Sequence, residues 1–268
     1  MTAAARFQDL AVRMASGVVL AGLGAAALWA GGVWLLAVAC LSAGVMIWEA
    51  AAMTAPAAPG TIRAAEALAL GALAAGLLTA IVLRHDPVWL ALLFVPAVVG
   101  TLRPRRDRKG FFAIAAAVMF AAYGMVAFRD AMGLAFVLWI VGVVAAVDLL
   151  GYFGGRLIGG PKFWPRLSPK KTWSGTVAGW AGAAAVGAGF YAADYAPAWA
   201  IPFSALMGFA AQMGDIGESA VKRRAGVKDA SHLIPGHGGL LDRFDGLTGA
   251  ILFLMVWAQA VPLPPVGA

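Results

Sequence analysis

Charge is what this 268-residue chain has least of: Asp, Glu, Lys and Arg together make up 12% of it, against about 25% in an ordinary soluble domain. With 62% apolar residues, that shortage excludes a soluble globular enzyme, because water does not tolerate so much apolar surface. Disorder is excluded too, since a disordered chain needs high polarity and charge. A lone cysteine, Cys40, rules out a disulfide framework. No His or Cys pair has zinc spacing, and neither a G-x-S-x-G elbow nor a G-x-x-x-x-G-K-[ST] loop occurs. Solenoid repeats and long linkers are also lacking, so the chain reads as a single membrane-embedded domain over 1–268.

What is present is a series of long apolar runs. A spanning helix needs about 20 mainly apolar residues. Such runs lie near 14–30, 32–53, 64–83, 87–102, 111–128, 132–154, 174–192, 197–217 and 246–262. The expected fold class is therefore all-α: a polytopic integral membrane protein of about nine transmembrane helices. Only Gly31 and Gly32 separate the first two runs, and Pro96 predicts a tilt or kink in the fourth. With the N-terminus in the cytoplasm, 18 of the 20 Lys and Arg residues fall on the inside, leaving only Arg84 and Arg129 outside. Arg6, Arg13 and the run 17–28 could be read as a signal peptide; an uncleaved first helix is the expectation. The net charge of +7 sits in short loops between apolar runs, which points to anionic lipid or an anionic substrate and not to nucleic acid.

Two polar islands exceed what topology requires. The first holds Asp148, within an apolar run, then Tyr152, Arg156 and Ser168-Pro169-Lys170-Lys171-Thr172-Trp173. An ionisable group inside such a run faces a polar cavity or a packing partner. The second island, 212–245, interleaves Asp215, Glu218, Asp229, Asp242 and Asp245 with Lys222, Arg223, Arg224, Lys228 and Arg243. If the eighth helix continues through its start, Asp215, Ser219 and Lys222 share a face. Asp242 and Asp245 would share one at the start of the ninth. Pro235-Gly236-His237-Gly238-Gly239 must be a turn, and free backbone N–H groups before a helix suit a phosphate. By contrast, Arg103, Arg105, Arg106, Arg108 and Lys109 are assigned to lipid headgroups and topology. Carboxylates gathered near a membrane surface repel unless a cation such as Mg²⁺ lies between them. Together with Lys, Arg and a glycine-rich turn they make a site for phosphoryl or nucleotidyl transfer.

The second island resembles the signature of the phosphatidate cytidylyltransferases, also called CDP-diacylglycerol synthases. Its pattern is met without a gap at Ser219, Lys222, Arg223, Lys228, Asp229, Ser231, Pro235, His237, Gly238, Gly239, Asp242, Arg243 and Asp245. The first island is similar to the same family at Asp148, Tyr152, Ser168, Pro169, Lys171, Thr172, Trp173 and Gly175, departing at Ser174, where many relatives carry Glu. The resemblance implies that CTP and phosphatidic acid give CDP-diacylglycerol and pyrophosphate with Mg²⁺. It also implies a second, monovalent cation such as K⁺ and a homodimer in the bilayer.

On this reading Asp148, Asp215, Asp242 and Asp245 hold metal, and Asp215, Lys222, His237, Asp242 and Asp245 are catalytic. Lys171, Ser219, Arg223, Lys228, Gly238, Gly239 and Arg243 bind substrate, with Ser219 open between metal ligand and packing hydroxyl. The site is expected at the cytoplasmic face of a bacterial inner membrane. A transporter is the rival from another class, but it would carry its charges within spans and show pseudo-repeats. A CDP-alcohol phosphotransferase would need a D-G-x-x-A-R motif that is absent.

Overall fold

The computed structural model describes residues 3–55, 60–84 and 87–267, with side chains over 14–55, 64–84 and 88–267. Arg6, Arg13 and Arg63, counted above among the inside charges, lie outside the described side chains. The chain is nearly all helical: α1 (Ala3–Ala30), α2 (Gly32–Thr54), α3 (Gly60–Arg84), a 3₁₀ helix (Pro87–Phe94), α4 (Val95–Leu102), α5 (Arg108–Leu157), α6 (Trp173–Ala192), α7 (Ala200–Ala225) and α8 (Leu241–Trp257). Each apolar run coincides in the main with a helical segment. The fourth run starts as 3₁₀ and becomes α4, with Pro96 in the first turn, where its missing N–H is no loss. At about 1.5 Å per residue, the 50 residues of α5 would far exceed one bilayer crossing. The helix is broken at Gly133 (φ 84°, ψ −178°), which divides the fifth run from the sixth.

Around an apolar core, burial departs from that of a water-soluble protein at both extremes. Val18, Leu23, Trp29, Val33, Trp34 and Leu41 are exposed, while Glu49, Thr54, Ser204, Gln212, Glu218, Lys222 and Asp242 are buried. Apolar surface on this scale needs an apolar solvent or a partner. Among the described residues, Gly32–Thr54, Ala64–Arg84 and Arg108–Leu157 are long and apolar enough to cross a membrane. Both observations are those of an integral membrane protein.

The chain divides into two compact units, one of Met1–Val126 with Val221–Phe244 and the other of Ala127–Ala220 with Asp245–Ala268. The boundaries fall inside α5, α7 and α8 and not in linkers.

In the first unit α2 packs on α3 where Gly44 meets Gly71; a Cβ at Gly71 would stand 2.5 Å from the Gly44 carbonyl oxygen. Small residues let helix backbones touch in this way. The loop 103–107 corrects one expectation. Arg105 is not a headgroup charge, since only 1% of its side chain is exposed. Its guanidinium donates to the carbonyls of Gly100 (2.7 Å) and Ala51 (2.9 Å) and to Glu66 Oε1 (2.8 Å), and it stacks over Phe111. Burial lowers the Arg105 pKa and Glu66 acts against that, but an arginine stays charged throughout. Its fork closes the carbonyl end of α2, which has no intrahelical donors of its own. Arg106, its neighbour, is exposed.

In the second unit the core is aromatic. Phe203 packs against Trp139, Trp199, Phe253 and Trp257, and the Trp139 indole N–H donates to Ser204 Oγ at 2.9 Å. One element departs from the all-helical expectation. Between α5 and α6 lies a two-stranded antiparallel ribbon, β1 (Lys162–Trp164) with β2 (Ser168–Thr172). Gly159, Gly160, Pro161, Pro165 and Pro169 forbid a helix there, while an edge ribbon tolerates proline. Thr172 then caps α6, its hydroxyl accepting from the Gly175 N–H at 3.2 Å.

Candidate active site

In the second unit, α7 and α8 carry a carboxylate group. Both helices are thin where they meet: a Cβ on Gly214 would collide with the Asp245 carbonyl and with Gly249, and one on Gly249 with the Ala210 carbonyl. Backbones that close carry their neighbouring side chains together. Asp245 lies within electrostatic reach of Asp215 and Glu218. Three ionised carboxylates so close would repel strongly. A cation reaches this group. Lys171, on β2, places Nζ 2.6 Å from Asp215 Oδ2. The other oxygen, Oδ1, accepts from Ser219 Oγ at 3.2 Å, one turn along α7. The ribbon thus brings Lys171 from the first island to Asp215 of the second. Asp148 lies on α5 in this same unit with its side chain exposed.

The first unit holds the remainder of the signature, and its charges are arranged differently. Lys222 Nζ stands 2.5 Å from Asp242 Oδ1, and both residues are buried. The other oxygen of Asp242 accepts from the N–H groups of Ala230 (2.9 Å) and Gly239 (2.8 Å). Burial alone would raise the Asp242 pKa, but the Lys222 ammonium and those two N–H groups outweigh it and leave the carboxyl below its ordinary value.

The stretch 234–239 is a tight turn: the His237 N–H donates to the Ile234 carbonyl (2.9 Å), and the Ile234 N–H to the Gly238 carbonyl (2.8 Å). Gly238 has a φ of 82°, and a Cβ there would stand 2.9 Å from Asp242 Oδ2; the glycine is needed both for its dihedral and for room. The His237 ring is held to α1, with Nδ1 2.9 Å from Ser16 Oγ, and that hydroxyl also donates to the Pro235 carbonyl at 3.1 Å. Arg223, Lys228 and Arg243 present exposed side chains.

Two sequence expectations need correction here. The N–H groups of the turn were to be free for a phosphate; those of His237 and Gly239 already serve the Ile234 carbonyl and Asp242. Lys222 was to hold a phosphate, yet its ammonium stands on Asp242. Residues the sequence reading passed over complete the arrangement. Glu49, on α2 and fully buried, accepts from Ser231 Oγ (2.6 Å) and from the N–H groups of Leu240 (2.9 Å) and Leu241 (2.7 Å). Its one signal in the sequence was a lone acid inside an apolar run. Asp107 pairs with Arg224, Nε to Oδ2 at 2.5 Å.

The donor chemistry of Asp215, Glu218 and Asp245 fits a hard divalent cation, being oxygen only. As the side chains stand they are not a finished ligand cage: among the described residues no three Asp, Glu, His or Cys side chains form a group that could hold a metal ion.

Comparison with known proteins bears on what this arrangement serves. The sequence profile of the cytidylyltransferase family matches residues 11–261. Curated proteins named phosphatidate cytidylyltransferase are similar to the chain. One from Brucella abortus is 43% identical over 141 residues, covering 51% of this chain and 52% of the relative. One from Helicobacter pylori is 36% identical over 156 residues, covering 52% and 54%, and one from Rickettsia bellii 39% identical over 124 residues, covering 42% and 54%. The chain thus spans about half the length of the curated relatives it matches.

Proposed function

The chain belongs to the cytidylyltransferase family, and from that membership we propose that it transfers CMP from CTP to phosphatidic acid, giving CDP-diacylglycerol and pyrophosphate. The observation that carries the reading is the approach of Asp245 to Asp215 and Glu218, set by the close crossing of α7 and α8 at Gly214 and Gly249. Such a group is costly unless a cation uses it.

In this reaction a lipid phosphate oxygen attacks the α-phosphorus of CTP, and the bond to the bridging oxygen of pyrophosphate breaks. The attacking oxygen is already an anion, so no strong base and no covalent enzyme intermediate are needed. The work left to the protein is to overcome repulsion between anions and to fix their approach. Asp215, Glu218 and Asp245 would hold Mg²⁺, which when bound supplies Lewis-acid neutralisation of phosphate charge. Lys171 keeps a positive charge at Asp215. Arg223, Lys228 and Arg243 bind phosphate oxygens, being exposed and cationic. Lys222 and Asp242 hold the glycine turn in shape. His237, its ring fixed by Ser16, lends the turn a donor or acceptor at Nε2. Asp148 is kept as a further carboxylate of the second unit. K⁺ beside Mg²⁺ and a homodimer rest on the resemblance alone.

The nine apolar runs are the proposed spans, with the N-terminus in the cytoplasm and the chemistry at the cytoplasmic face of an inner membrane. The positive-inside distribution of Lys and Arg supports that orientation. The test is purified full-length protein with labelled CTP, phosphatidic acid and Mg²⁺. Lipid-linked CMP and one pyrophosphate per turnover, both lost on chelation, are expected. Solute or ion flux with no CTP turnover would sink the proposal.

A further inference from the structure

We infer that Glu49 is a positioning residue for the reaction, holding the signature turn and the head of α8 in their working shape from inside α2. The inference rests on the cytidylyltransfer reading for its effect on turnover, but its geometry stands apart from it.

The first N–H groups of a helix have no acceptor within the helix. For α8 those of Leu240 and Leu241 reach neither solvent nor a side chain of their own segment. They end on Glu49, which comes from a helix 191 and 192 residues earlier in the chain. A carboxylate at that place also meets the positive end of the helix. Oε1 takes a third hydrogen bond, from Ser231 Oγ at 2.6 Å, so one side chain ties both ends of the segment 231–241. With the Gly239 N–H on Asp242, three successive backbone donors are assigned to two carboxylates.

Gly239 shows how closely the fit is made. A Cβ there would lie 2.6 Å from Glu49 Oε1, so the glycine leaves the space that the carboxylate fills. Structural need alone does not require an acid inside an apolar helix, since an ionisable group there is expensive. Held in this way, the segment fixes His237 within it and joins Lys228 before it to Arg243 after it in one arrangement, without which these side chains must be ordered at each substrate encounter.

The test compares Glu49→Gln, Glu49→Ala and Ser231→Ala in full-length protein in lipid nanodiscs. Glutamine keeps the shape but must turn an NH₂ toward at least one of the three donors. We expect it to lower kcat/KM for CTP at least tenfold, chiefly through a higher KM, with melting within a few degrees of the parent. Amide exchange in the peptide holding Leu240 and Leu241 should quicken. Ser231→Ala, which removes one donor and leaves the two backbone bonds, should cost less than Glu49→Gln. Should Glu49→Ala fail to fold, the isosteric Gln variant carries the test. Unchanged exchange at Leu240 and Leu241 in Glu49→Gln overturns the inference, as does a kcat/KM within twofold of the parent when the parent is active. If the parent itself turns over no CTP, the reaction assignment fails while the exchange result still decides whether Glu49 positions the turn.

Discussion

Two groups of sequestered charge draw on one polar island, 212–245, and they are balanced in opposite ways. In the first unit Asp242 has every oxygen engaged: Lys222 on one, two backbone N–H groups on the other. In the second unit Asp245 lies within electrostatic reach of two more carboxylates, Asp215 and Glu218, and Lys171 stands on Asp215. The first arrangement is satisfied by the protein itself and has the character of a scaffold. The second gathers like charges, which is the character of a site for a cation. Acidic residues three apart in one motif therefore need not share a role.

The contrast breaks most sharply on loss of turnover. Asp245→Asn removes a like charge from its group and is expected to cut CTP-dependent activity roughly a hundredfold or more, while leaving melting unchanged or raising it. An Asp245→Asn protein that is both active and less stable would place Asp245 with the scaffold.

The next effect is on stability. Lys222→Met leaves Asp242 buried without its cation, and breaking a buried pair from one side costs about 3–5 kcal/mol. The melting temperature in detergent should fall by many degrees, and removing both charges with Lys222→Met and Asp242→Asn, whose amide oxygen still accepts from Ala230 and Gly239, should restore part of it. A single variant that melts like the parent would mean that the pair is not what holds the turn.

How far these roles could be read beforehand follows from what a linear pattern records. The apolar runs were legible because membrane length sets their period, so the helical segments and the breaks at Gly31 and Gly133 lie where hydropathy changes. The ribbon 162–172 was not foreseen, although its prolines and glycines forbade a helix, because strand pairing over so short a loop leaves little periodicity. The signature residues were found by type and spacing. Which of them pair with one another was not legible, because pairing depends on where helices cross. Gly214 against Gly249 brings Asp215 and Asp245 together, and no local pattern says so. Glu49 and Ser16 were missed for the same reason: each is a single polar residue in an apolar helix, and its partner lies about two hundred residues away. Arg105 was misassigned because a run of basic residues looks uniform until one of them is buried.

The smallest effect concerns the loop that ends in Asp107, outside both groups. Asp107 precedes α5 and accepts the Gly110 N–H at 2.9 Å, an N-cap, while Arg224 pairs with its other oxygen. Burial raises its pKa, but Arg224 and the Gly110 N–H together bring the carboxyl below its ordinary value. A carboxyl depressed in the folded state contributes stability above its unfolded pKa of about 3.9, and that contribution is lost as pH falls through the folded value. The deficit of Asp107→Ala in melting temperature should therefore be full at pH 7, about 1 kcal/mol from the cap, and shrink below about pH 4. Arg224→Ala removes only a half-exposed pair, worth about 0–1 kcal/mol, and should fall between Asp107→Ala and the parent. A deficit for Asp107→Ala that is unchanged down to pH 3 would show that the residue acts by packing, and the ionised cap would have to be given up.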